Sequence, residues 1–194
     1  MKKVLLLLAN GFEIYEASAF IDVIGWNLID GDKSTKLFTC GLTKEVRSTF
    51  DQRFVVDFTI DQVDPDEFAA LAIPGGFEEY GFYKDAYSNE FSKVIRAFEK
   101  KNKTVASICT GAFPIAKSGV LSGRKGTTYN LNPVRHANLR DLGVLVINEP
   151  IVVSDDIITS WNPSTAMDVA FLLLERLTSP ANAARIRTLM GFKN

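Results

Sequence analysis

Apolar residues along this chain fall into two patterns: short unbroken runs, and stretches where they recur every three or four positions. Val4-Leu5-Leu6-Leu7-Leu8-Ala9 is a run of the first kind and reads as a strand buried on both faces. Ala17, Phe20, Ile21, Ile24 and Leu28 follow at helical spacing on one face. Lys36-Leu37-Phe38-Thr39-Cys40 predicts a second strand, and the β-rich segment 53–60 a short hairpin or edge strand. Leu71-Ala72-Ile73 runs into Pro74-Gly75-Gly76, a strand that ends in a sharp turn. Phe91, Val94, Ile95 and Phe98 mark another amphipathic helix, which leads into the apolar run ending at Cys109. Segments 144–147, 151–153 and 157–161 read as later strands. Asn162-Pro163 then predicts a helix N-cap with proline in the first turn, and Ala166, Ala170, Leu173, Leu174 and Leu177 its buried stripe. Apolar strands alternating with helices call for an α/β fold, a mostly parallel sheet with helices on both faces. In such sheets function gathers at the carboxyl ends of the strands.

Composition narrows the picture further. At 194 residues, without repeat, low-complexity tract or linker, the chain reads as one domain large enough for a proper core. A net charge of −1 with no basic block argues against a nucleic-acid partner. Two cysteines, Cys40 and Cys109, make no disulfide framework, so a reducing cytoplasm is the expected location. The first apolar run follows two lysines but is too short for a membrane span, and Asn10-Gly11-Phe12-Glu13 interrupts it without a cleavage pattern. It is read as a strand, with no membrane partner expected.

Chemistry concentrates at Val105-Ala106-Ser107-Ile108-Cys109-Thr110-Gly111-Ala112-Phe113. A buried strand ends at a cysteine, followed after one residue by glycine and a helix-like segment. This is the outline of a nucleophile elbow, although Ser107 replaces the usual first glycine. A helix N-terminus at that point is expected to lower the thiol pKa and to offer backbone N–H groups to an oxyanion. A lone cysteine at a strand end is most simply structural, and the turn around Cys109 tips the reading toward a functional thiol. Two other segments should reach the same sheet edge. One leaves the first strand through Gly11-Phe12-Glu13-Ile14-Tyr15-Glu16, where Glu16 can point from the first helical turn toward the thiol. The other is Pro74-Gly75-Gly76, whose glycines permit close backbone approach and an N–H opposite that of Thr110.

Together with Gly123-Arg124-Lys125-Gly126-Thr127-Thr128, these segments resemble the ThiJ/PfpI superfamily of the class I glutamine amidotransferase-like fold. The resemblance covers residues 1–178 in order and spacing, and implies a flavodoxin-like three-layer sandwich. Residues 179–194 are expected as a C-terminal helical extension of that single domain. It also implies that Cys109 is the reactive cysteine, that Glu16 shares a proton with it, and that Gly75, Gly76 and Thr110 form an oxyanion or binding turn. Homodimers are common among such proteins, and one is expected here.

Departures from the family pattern restrict the function. Many members carry histidine just after Thr-Thr, where this chain has Tyr129, expected to line the pocket. The family's proteases have histidine directly after the cysteine, where Thr110 stands. Amidotransferases need a late His-x-Glu pair, and the one histidine, His136, is expected outside the site at the start of a helix whose apolar residues pack inward. The regulator branch adds a helix-turn-helix domain, for which the stretch after Thr178 is too short. Two readings remain. In one, Cys109 is a nucleophile toward a small electrophile, as in glyoxalase- or deglycase-like proteins or small-amide hydrolases and hydratases, with no metal and no cofactor. In the other, Cys109 is a redox sensor without turnover. The aromatic group Phe77, Tyr80, Phe82, Tyr83 and Tyr87 fits a pocket wall or a dimer contact equally well.

Overall fold

The computed structural model describes residues 1–192; Lys193 and Asn194, the end of the expected extension, lie outside the described residues. The first apolar run becomes β1 (Lys2–Leu8) and sits in the interior of a seven-stranded sheet. Side chains alternate across a strand, so Val4, Leu6 and Leu8 enter one hydrophobic core while Leu5 and Leu7 enter another on the opposite face. A strand serving two cores must be apolar at every position, which is why this run has no polar interruption.

The other sheet strands are β2 (Thr35–Gly41), β3 (Phe58–Thr59), β4 (Ala70–Ile73), β5 (Thr104–Ser107), β6 (Ile151–Ser154) and β7 (Ile157–Ser160). Their order across the sheet is β6-β7-β5-β4-β1-β2-β3. Every neighbouring pair is parallel except β6 with β7. Without the edge strands β3 and β6, the parallel order β2-β1-β4-β5-β7 is the flavodoxin-like one expected from the sequence. One core packs α1 (Ile14–Asp30) and α6 (Ala166–Leu177) on the sheet; the other packs α3 (Asn89–Glu99) and α4 (Ala112–Lys117). The remaining helices are α2 (Phe82–Ala86), α5 (Pro133–Asp141) and α7 (Pro180–Leu189). Among the described residues no helix is long and apolar enough to cross a membrane.

Several local expectations are refined. Segment 53–60 is both things at once: Arg53–Val55 forms a hairpin with Glu45–Arg47, and Phe58–Thr59 is the edge strand. The expected strand at 144–147 shrinks to Leu145–Val146, paired with Lys125–Gly126 apart from the main sheet. Ile21 leaves the buried stripe of α1, because Ala17, Phe20, Val23, Ile24 and Asn27 already fill the face toward the sheet. Asn162 caps Ser164 N–H and starts the turn into α6, as its Asn-Pro pair signals.

The C-terminal helix is more than an appendage. Ala183 and Ile186 of α7 are buried in the same core as α1 and α6. Asn182 Nδ2 also donates to buried Asn27 Oδ1 at 2.6 Å. Replacing Ile186, fully buried, with alanine is expected to cost about 2–5 kcal/mol in chemical denaturation. A loss below about 0.5 kcal/mol would mean that α7 is only loosely attached.

Candidate active site

Three strands end side by side at one edge of the sheet, and the chain leaves each by a different turn. Register pairs Leu6 with Ala72 and Ile73 with Ser107, so the carboxyl ends of β1, β4 and β5 are aligned. The chain crosses from one side of β1 to the other here, where α/β sheets open a crevice. Beyond β5, Ile108 is extended and Cys109 turns back with φ 56°. That left-handed conformation costs a residue with a Cβ about 1–2 kcal/mol. The strain is held by Gly111 N–H donating to Ile108 O at 2.8 Å and by Thr128 Oγ1 donating to Cys109 O at 2.9 Å. It points the thiol out of the strand line, as an elbow does.

Glu16 stands opposite. The loop that delivers it is fixed by Asp85 Oδ2, which accepts from Asn10 N and Nδ2 at 3.0 and 2.7 Å. Glu13 N–H reaches Gly75 O at 2.8 Å, joining this loop to the β4 turn. One turn into α1, Glu16 is wholly buried. Its Oε2 accepts from Gly75 N–H at 2.6 Å, and Oε1 is buried without a partner of its own among the described residues. Burial, reinforced by the charge of Glu13 and only partly offset by the Gly75 amide and the Cys109 thiol, pushes Glu16 to about 8. A carboxyl held in this way keeps its proton at neutral pH. Glycine is required at 75, since a Cβ there would stand 2.8 Å from both Glu16 Oε2 and Thr110 Oγ1.

The expectation of a depressed Cys109 pKa is overturned. Burial, then the neighbouring Glu16, push the thiol well up, and of the elbow's amides only Thr110 N–H counters them. The reason is the sulfur's environment: Cys109 is 7% exposed, and the helix behind it opens with a tight three-residue turn before the six residues of α4. Desolvation outweighs so short a run of dipoles. Thiol and carboxyl therefore titrate as one pair, each shifting the other.

The oxyanion turn also differs from expectation. Gly75 N–H is committed to Glu16, and Gly76 N–H donates to Thr110 Oγ1 at 2.8 Å. Thr110 Oγ1 in turn donates to Gly76 O at 2.9 Å. The pair Gly75-Gly76 is thus the frame that holds acid and elbow together, and Thr110 N–H is the amide left facing the sulfur. Tyr129 is half-buried against the core that includes Cys109. His136 Nε2 lies 3.3 Å from Thr128 O, and no hydrogen bond joins it to Cys109. Its helix does not pack inward as expected; Leu139 is its one buried residue, and Val134 is 59% exposed. Among the described residues, no group of three or more His, Cys, Asp or Glu is placed to hold a metal ion.

Sequence reading passed over Glu13, Thr128 and Arg135 as partners of the site. Glu13 is half-buried, and desolvation raises its pKa. Its spacing one helical turn before Glu16 was the available signal. Thr128 closes the 123–128 motif, which carries no signal of its bond to Cys109 O, and Arg135 leaves no local pattern.

Comparison with known proteins follows from this geometry. The family model described as DJ-1/PfpI family matches residues 2–176. The protein named Deglycase PfpI of Pyrococcus furiosus is 35% identical over 112 residues, 56% of this chain and 61% of that protein. Protein dj-1beta of Drosophila melanogaster is 28% identical over 178 residues, 91% of this chain and 89% of that protein. The crystal structure of Drosophila melanogaster DJ-1beta superposes with a TM-score of 0.87 at 25% identity, covering 100% of this chain and 99% of that one. Among the curated relatives matched first, the chain spans from 44% to 62% of their length.

A carboxyl with pKa raised from 4.5 to about 8 binds its proton in the folded state over a range where the unfolded chain has lost it. Its contribution to stability is complete below pH 4.5, declines as pH rises, and is gone above about 8. The Glu16→Gln variant, which cannot ionise, is therefore expected to gain stability relative to the parent between pH 5 and 8. Parallel stability–pH curves for the two proteins by urea denaturation would show that Glu16 titrates like an exposed carboxyl.

Proposed function

The chain belongs to the DJ-1/PfpI family, and on that premise we propose that it is a cysteine-dependent enzyme acting on a small carbonyl electrophile, in the manner of a glyoxalase or deglycase. The observation that carries this reading is the buried acid–thiol pair, Glu16 with Cys109, on a strained elbow. A structural cysteine needs neither a positive φ nor a carboxyl kept protonated beside it.

In the proposed step Cys109 sulfur adds to the carbonyl carbon. The π pair of the C=O bond moves to oxygen, which collects a proton as the S–C bond forms. Glu16 carries that proton: the protonated acid gives its own to the nascent alkoxide and takes the thiol's in exchange, so no net charge is stranded in the buried site. Thr110 N–H, facing the sulfur, holds charge as it develops. Tyr129 stands at the position where other members carry histidine, and a phenol donates hydrogen bonds but is a poor base. Proton transfer thus falls to Glu16. Glyoxal and methylglyoxal fit this chemistry better than amides, whose expelled amine needs a strong general acid.

The test is a turnover panel with glyoxal, methylglyoxal and small amides. Turnover of the oxoaldehydes is expected, with Cys109→Ser abolishing it and Glu16→Gln lowering kcat/KM by about 10²–10⁴. Absence of turnover on every compound, with stoichiometric oxidation of Cys109 by dilute peroxide, would move the reading to redox sensing.

A further inference from the structure

We infer that Arg135 and Tyr83 form the recognition end of the Cys109 pocket, and that its substrate is a small electrophile carrying a carboxylate next to the reacting carbonyl. This rests on the reading of Cys109 as a nucleophile and adds the substrate's charge.

Tyr83 is fixed by its neighbours. Its ring packs edge-on against Phe113, four residues beyond Cys109, at 5.8 Å between centroids, and lies 4.9 Å from Tyr87. Its hydroxyl is buried and has no partner among the described residues. An unpaired buried hydroxyl costs about 1–3 kcal/mol, a cost relieved when a ligand brings an acceptor. Burial above all keeps the phenol protonated, with the Arg135 guanidinium opposing and the Cys109 charge adding to the effect. Tyr83 thus packs on α4, the helix that follows Cys109, and under the Arg135 guanidinium.

Arg135 completes the arrangement. Its guanidinium carbon stands 5.5 Å from the Tyr83 ring centroid, and its side chain is 23% exposed. It already holds a carboxylate: Glu78 Oε2 lies 3.4 Å from Nη2, on a side chain that is 66% exposed. Such rim pairs contribute about 0–1 kcal/mol, so an incoming carboxylate readily takes the place of Glu78. On the α1 side, the charge of Glu13 disfavours an anion beside it. Together these groups sort a 2-oxo acid or an oxoaldehyde acid into one orientation. Its carboxylate accepts from Tyr83 and Arg135, its carbonyl carbon meets Cys109, and its carbonyl oxygen takes the proton delivered by Glu16.

The probes are two alkylating agents of nearly the same shape, neutral iodoacetamide and anionic iodoacetate. Each transfers a CH₂ group to sulfur and releases iodide. Rates at Cys109 are read by peptide mapping of the full chain at low salt. Arg135→Gln is expected to lower the iodoacetate-to-iodoacetamide rate ratio about tenfold, the effect of one partly buried charge acting over roughly 10 Å. Tyr83→Phe should lower it about threefold, the scale of one hydrogen bond, and Arg135→Lys should keep most of it. An unchanged ratio in Arg135→Gln, or equal slowing of both reagents, overturns the inference and leaves Arg135 a structural contact. Alkylation at Cys40 in preference to Cys109 would overturn the nucleophile reading and this inference with it.

Discussion

A carboxyl group that cannot afford to ionise is the constraint around which this site is built. Glu16 lies in the first turn of α1, beyond the end of β1, wholly buried, with one amide donor and a thiol for company. Moving a bare carboxylate into such a place is prohibitive, so the group either keeps its proton or shares one with Cys109. The backbone arrangement follows from that need. Gly75 must lack a side chain so that its N–H can approach within 2.6 Å of Oε2. Gly76 must pack beneath it so that Thr110, one residue past the thiol, ties the β4 turn to the elbow. The loop from Asn10 to Glu13 is pinned by Asp85 and by Gly75 O, so the acid's position does not depend on its own helix alone.

Thiol and acid then act as a unit. Neither is unusual by type, and each becomes so through the other in a medium that solvates neither. With both protons in place at neutral pH the pair adds no buried charge, and it still sets a nucleophile beside a proton carrier. The absence of a contacting histidine fits this economy: His136 is hydrogen-bonded to the backbone of Thr128, and the family's usual histidine position holds Tyr129.

What the sequence disclosed follows the range of the interactions involved. β1 was legible because a strand serving two cores admits no polar residue, and α6 because Asn162-Pro163 and its five-residue stripe are local signals. The elbow was legible as a strand–Cys–x–Gly–helix pattern. Ile21 was misplaced because helical spacing identifies a face but not how wide a strip of it is covered. The thiol's protonation was misjudged for a related reason. A helix N-terminus is visible in sequence, whereas desolvation is the sum of many distant contacts and outweighs it here. Thr128 lies in a recognisable motif, whereas Tyr83 and Arg135 come from segments with no common pattern, and only the fold brings them together.

The acid's retained proton can be observed directly. With the chain labelled at glutamate Cδ, and the Glu16 signal assigned through Glu16→Gln, its ¹³C chemical shift can be titrated from pH 4 to 10. The account expects a protonated carboxyl at pH 7 and a midpoint near 8, with Cys109→Ser altering that midpoint because the two groups titrate together. A carboxylate signal at pH 7 with a midpoint near 4.5, indifferent to Cys109→Ser, would contradict it.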